Sequence, residues 1–216
     1  MKEVRSRVKE IKEKVNEFFI SANLTATYKI HLFKVILKWC NDIKLSNSSL
    51  LSINSIVDYF IDINWDYFVK YKNIKQVTMK TMNTKIHSLF EKRFPNKRDK
   101  LSNNEKKTIF KTVKNILHND VFYRFRNDTG LYDFYQLSSQ NNIELIPEVP
   151  EYIDLEFYKT IKDKIDFLGF EKEMISWLRE NSILIGYAIN YRFVIFLEQN
   201  NENQNFIFSQ IVSELE

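Results

Sequence analysis

Three glycines and three prolines in 216 residues leave this chain few places to reverse direction tightly. Two-residue hairpin turns favour glycine, and a β-sandwich or barrel of this length needs many of them. Lys, Leu, Ile and Glu are frequent between the breaks, so the chain is expected to be mainly helical. Apolar residues make up 44% and aromatics 15%, enough for a packed core and too many for a disordered chain.

The apolar spacing agrees. Val4, Val8, Ile11, Val15 and Phe18 recur at three and four, which predicts an amphipathic helix over 2–19. Two heptads favour a helix docked on its own core over a coiled coil. A second helix is expected over 26–42, with Tyr28, Leu32, Val35, Ile36 and Trp39 inward and Thr25 or Thr27 as its cap. Residues 44–49 read as a polar loop. A third helix starts near Ser52 and carries Ile56, Tyr59, Phe60 and Ile63, and another covers 78–92. Ser102 and Glu105 form a capping box that opens a helix to about His118.

Past residue 120 the texture changes. Residues 121–125, 131–137 and 143–146 are short runs rich in aromatic and branched residues, expected to make a small antiparallel sheet. Helices are expected again over 154–167 and 170–198. The fold class expected is therefore mainly α (α+β): a helical bundle with a helix-turn-helix-like element at 75–87 and a small antiparallel sheet insertion. Its organisation reads as a basic helical region (1–120), a small sheet with C-terminal helices (121–198), and a polar linker with a short terminal piece (199–216).

Charge separates along the same boundary. Residues 1–120 hold 24 Lys and Arg against 12 Asp and Glu, whereas 121–216 hold 8 against 16. Within 70–114 there are 14 basic residues and only Glu91, Asp99 and Glu105 as acids. One-signed density repels itself unless a partner neutralises it, so a polyanion is expected on the front half, duplex DNA first. The rival expectation is an assembly subunit whose basic half docks on an acidic partner or on its own acidic half.

Catalytic patterns are incomplete. Cys40 is the single cysteine and sits in an apolar run, so it reads as a small buried hydrophobe. His87, Asn103 and His118 have a nuclease-like spacing, but the segment between them is Lys-rich and helical. A His-Asn-His centre needs a strand pair before its last helix. His118 is read as a partner for the last carbonyls of its helix. No glycine-rich phosphate loop and no triad pattern occur. No catalytic residue, metal ligand or cofactor is expected. The charged N-terminus has no apolar signal core, and residues 183–197 contain Asn190 and Arg192 and are too short to span a bilayer. A cytoplasmic chain with no membrane partner is expected.

Two places fit nucleic-acid contact. At Thr27, Tyr28 and Lys29, a lysine in the first helical turn opposes the helix dipole. An anion bound at that N-terminus would turn the opposition into convergence. In 75–87, Lys75, Lys80 and Lys85 could meet phosphates, while Asn83, Thr84 and His87 share one helical side and could reach base edges. Lys92, Arg93, Lys97, Arg98 and Lys100 flank that segment and would add sequence-independent affinity. The aromatics of 59–71 read as core before stacking platform.

The run LTATYKIHLFKVILKWC (24–40) resembles a segment of bacterial HNH-type endonucleases linked to restriction and phage defence. Further elements follow in the same order: YFIDINWDYF, a basic helix before NILHNDVFYRF, the proline-ended IELIP and the helix ISWLREN, together covering roughly residues 18–181. The resemblance implies a DNA-binding, target-recognition region that precedes the nuclease, with Thr27, Tyr28 and Lys29 as the positions carried over. Here QNNENQN follows the Trp helix where the nuclease module would stand. The expectation is a nuclease-less member, acting with a nuclease partner or as a homodimer, or a fragment of a longer protein. Reversing charge at Lys80, Lys85, Arg93 and Arg98 together is expected to weaken DNA binding and flatten its salt dependence, read by titrations at two salt concentrations.

Overall fold

The computed structural model describes residues 2–21, 27–42, 49–71, 86, 89–90 and 101–200. It is mainly helical with one small four-stranded antiparallel sheet, as the breaker count and apolar periods predict. In chain order come α1 (Lys2–Ser21), α2 (Tyr28–Asp42), β1 (Leu50–Ser52), α3 (Ile53–Tyr71) and α4 (Asn103–Ile116). A π-helical turn (Leu117–Val121) joins α4 to α5 (Phe122–Thr129). Then follow β2 (Asp133–Leu137), β3 (Ile143–Leu145), α6 (Leu155–Ile161), β4 (Phe167–Gly169), α7 (Lys172–Glu180) and α8 (Ser182–Asn200). The helix-turn-helix-like element expected at 75–87 lies outside the described residues, Ile86 apart.

Helix α2 is the centre. It packs against α3, α7 and α8, and Ile30, Leu32, Phe33, Val35, Ile36, Leu37, Trp39 and Cys40 are all buried. A helix apolar over most of its circumference, with Lys34 and Lys38 as its outward stripe, has to be enclosed on the rest. Its C-terminal end is closed by Arg179, whose Nε donates to the Cys40 carbonyl at 2.9 Å, satisfying an acceptor that the helix itself leaves open. Cys40 is fully buried, which pushes its thiol pKa up to about 12 and leaves it unreactive near neutrality. Helix α1 lays Val8, Ile11, Val15 and Phe18 on α5 and α8, the face its spacing predicts. In α3, Phe60 and Trp65 are core.

Residues 121–125 are helical, not a strand. Aromatic and branched residues favour strands only where a pleated surface receives them. Here Leu117, Val121, Phe125 and Thr129, spaced by four, all face inward. A spacing of four runs slightly ahead of the α-helical period of 3.6, and the wider π turn at 117–121 keeps the series on one side. Gly130, at φ 63°, closes α5 in the left-handed conformation.

The sheet order is β1-β4-β2-β3. Only β2 and β3 come from the runs that read as strands. β1 falls between the polar loop expected at 44–49 and the helix expected from near Ser52, and β4 where a helix was expected to end. Leu51 pairs with Leu168, and Leu168 with Phe134, so three short segments distant in sequence bury these residues together. A three-residue strand is too short to show a period of two. On the opposite face the Tyr135 ring covers Gly169, where a Cβ would meet Tyr135 Cε2 at 2.2 Å. Gly169→Ala is expected to cost ~1–3 kcal/mol in urea unfolding. Tyr135→Ala in the same chain should remove most of that cost, a coupling that a double-mutant cycle reads directly.

Candidate nucleic-acid interface

The front-half cations divide into two groups. Of those on α1 and α2, Arg7, Lys14 and Lys29 meet carboxylates of the back half, Lys9 pairs with Glu13 within α1, and Lys38 is exposed over the Tyr59 ring. Arg7 pairs with Asp133 at 2.5 Å and with Glu171 at 3.5 Å. Lys14 reaches Glu10 and Glu151, both at 2.8 Å. Hydrogen bonding to Asp133 holds Arg7 above its ordinary pKa, and Glu10 and Glu151 do the same for Lys14. Lys12 lies over the Trp177 ring, and Lys34 donates to Asn190 and covers Phe193.

The first expected contact site belongs to this group. Thr27 is buried, and its carbonyl accepts from the His31 N–H. The Tyr28 hydroxyl accepts from the Ile86 N–H at 3.2 Å. Lys29 donates to Asp128 at 2.5 Å, with only 16% of its side chain exposed. The anion that Lys29 meets is thus within the chain, the Asp128 carboxylate. A phosphate that took Lys29 would have to displace Asp128 from it. Lys75, Lys80, Asn83, Thr84, Lys85, His87, Arg93, Lys97 and Arg98 lie outside the described residues.

Helix α4 carries the second group. The capping box at its start is formed: Ser102 N–H and Oγ both donate to Glu105, and the Ser102 side chain accepts from Glu105 N–H. This cap is worth about 1 kcal/mol, and it folds the helix's single acid back toward the terminus. Ile109, Val113 and Leu117 face the core. Asn104, Lys107, Lys111 and Asn115 are three and four residues apart on the opposite face, and all are exposed. Lys106 and Lys114 flank them. None of these four lysines forms an ion pair among the described residues; Lys114 donates to Asn54 Oδ1 at 3.4 Å. Lys106 and Lys107 also border a groove of about 600 Å³ with Ile61, Leu101, Ile109 and Phe110 on its walls and Asp58 opposite.

Lys106, Lys107, Lys111 and Lys114 are absent from the contact residues expected from the sequence, which stand at 27–29 and 75–98. Their signal is nonetheless in the sequence: they close the 70–114 stretch of one-signed charge, and the capping box fixes their phase.

His118 and Asn103 do not meet. They lie on one continuous helical path, 15 residues and roughly 20 Å apart at 1.5 Å per residue. His87 lies outside the described residues. His118 does not serve the end of its own helix but the C-terminal end of α6. Its helix continues through the π turn, and its Nδ1 bonds the Lys162 carbonyl at 3.0 Å, while Nε2 is buried with no hydrogen-bond partner. Among the described residues no three His, Cys, Asp or Glu side chains gather as a metal site. No described helix is long and apolar enough to cross a membrane. Comparison with protein-family models, curated proteins and solved structures finds no match for this chain.

Burial holds the His118 pKa below its ordinary 6.5, helped by Lys114 and Lys162 and opposed by the bond to the Lys162 carbonyl and by Asp163. The folded protein therefore favours neutral imidazole more than the unfolded chain does. Its contribution to stability is complete above about pH 6.5 and declines as pH falls toward the folded pKa. The urea midpoint is expected to drop between pH 7.5 and 5.5, and His118→Gln should flatten that slope. An unchanged slope in the variant would assign the pH dependence to other groups.

Proposed function

We propose that the chain binds duplex DNA, with the exposed lysine face of α4 contributing sequence-independent phosphate contacts. One observation supports this reading most: Arg7, Lys14 and Lys29 are matched by carboxylates within the fold, while Lys106, Lys107, Lys111 and Lys114 stand together on one short helix with no ion pair among the described residues. Unanswered like charges on one face lower the stability of the compact state, and an incoming polyanion relieves this cost. Asn104 and Asn115 on the same face add neutral donors that suit phosphate oxygens. The segment between α3 and α4 continues the basic stretch. Lys75, Lys80, Lys85, Arg93, Lys97 and Arg98 would extend the phosphate contacts, and Asn83, Thr84 and His87 would supply base reading. The role proposed is target recognition in a bacterial restriction or phage-defence system, as the resemblance implies, with strand cleavage carried out by a nuclease partner.

A second reading has its own support. The pairs Arg7–Asp133, Lys14–Glu151 and Lys29–Asp128 show basic and acidic halves of this chain docking on each other. The α4 face could do the same with an acidic protein. That reading predicts salt-sensitive association that DNA does not compete away.

Replacing Lys107, Lys111 and Lys114 together by Gln should weaken binding to a duplex of arbitrary sequence. The slope of log K against log salt should fall by up to about 2.7, near 0.9 for each phosphate that a lysine no longer neutralises. Lys14→Gln, which removes a cation already paired, should leave the slope unchanged. Equal slopes for wild type and the triple variant would remove α4 from the interface.

A further inference from the structure

The sheet ends in an open edge with an unusual combination of features. β3 is the outermost strand, and all three of its residues are exposed. Its register with β2 fixes which backbone groups are free. Ser138 N–H donates to the Asn142 carbonyl and Ile146 N–H to the Phe134 carbonyl. The even-numbered residues of β3 therefore bond inward, with Gln136 opposite Glu144. The N–H and C=O groups of Ile143 and Leu145 point away from β2 toward the open side. Two donors and two acceptors stand in a row, the template that an added strand uses.

The side chains define what that strand must carry. Leu137 pairs with Ile143, and Tyr135 with Leu145, so all four project from one face of the sheet. Leu137, Ile143 and Leu145 are 48%, 42% and 52% exposed, an apolar row beside the free edge. Glu144 points to the other face. The stretch of chain that carries the edge has one sign of charge: residues 127–158 contain seven acids and no Lys or Arg. Asp128, Asp133, Glu151 and Glu156 are each ion-paired, and Asp154 caps α6. Glu144 on the strand and Glu148 in the turn after it have no ion pair among the described residues.

We infer that this edge accepts an extended segment of a partner protein in which apolar residues alternate with Lys or Arg. Bound as a fifth strand, such a segment bonds to the backbone of Ile143 and Leu145. It lays its apolar residues against Leu137, Ile143 and Leu145, and presents its cations to Glu144 and Glu148. A second copy of this chain is a poor occupant. The antiparallel self-pairing that uses all three residues of β3 sets Glu144 directly against its symmetry mate, and like charges opposed across strands are destabilising.

The probe is a fluorescein-labelled heptapeptide of alternating valine and lysine, titrated with the full chain and read by anisotropy. Saturable binding is expected, at least tenfold tighter than for the valine–glutamate counterpart. Glu144→Lys with Glu148→Lys, both exposed positions, should weaken it at least tenfold while the circular dichroism spectrum stays that of wild type. N-methylation of alternate peptide amides should abolish binding in one parity and spare it in the other, because only one set of amides faces β3. This arm needs no change to the protein. Absence of saturable binding, or binding indifferent to both the double variant and the methylation parity, would overturn the inference. So would self-association of the chain that the peptide competes away, since it would make a second copy the occupant. The α4 variants act on a different surface, so DNA binding and strand addition can fail independently.

Discussion

The Asp133 carboxylate, held between Arg7 of α1 and Arg126 of α5, fixes how the two oppositely charged halves of this chain meet. Arg126 is nearly buried and places its donors on the carbonyls of Tyr132, Pro150 and Glu151 as well as on Asp133. It thereby braces the chain on both sides of the β2–β3 hairpin. Arg7 and Lys14 then bind α1 to the same assembly from outside. Partly exposed pairs of this kind contribute ~1 kcal/mol or less each. Burying the apolar face of α1 is worth several times that. The ion pairs therefore choose the orientation in which α1 docks, and the apolar contact supplies most of the stability.

This division of labour explains why total charge was a poor guide to the free surface. The sequence places 24 cations in the front half, and nothing in it says which of them the fold will answer. Arg7, Lys14 and Lys29 look equivalent to Lys107 and Lys111 until Asp133, Glu151 and Asp128 arrive from over a hundred residues away or nearly so. The capping box, the buried faces of α1, α2 and α4, and the burial of Cys40 were legible because each depends on neighbours within a few turns. The β2–β3 hairpin was legible because polar residues separate its two branched runs. β1 and β4 were not, since their pairing is set by partners distant in sequence. Residues 121–125 misled because local composition spoke for a strand while the spacing of four, continued from α4, spoke for a helix.

Two of the surfaces left open among the described residues are opposite in character. The α4 face is basic, polar and rigidly phased by its cap, which suits a regular polyanion. The β3 edge is acidic and apolar with open backbone groups, which suits an extended protein segment. A target-recognition subunit that holds DNA on one side and a protein on the other would use both. The buried His118, with its unpartnered Nε2 inside the π turn, links the end of α4 to the carbonyl of Lys162 and is part of the core, not of either surface.

The most direct test of the account is amine reactivity. The full chain is treated with a limiting acylating reagent, alone and with a saturating DNA duplex, and modification is read lysine by lysine by mass spectrometry. Without DNA, Lys106, Lys107, Lys111 and Lys114 should react readily and Lys14 and Lys29 slowly; with DNA, the four on α4 should become protected while the paired two change little. Rapid modification of Lys14 and Lys29 in the free protein, or no protection on α4 by DNA, would contradict it.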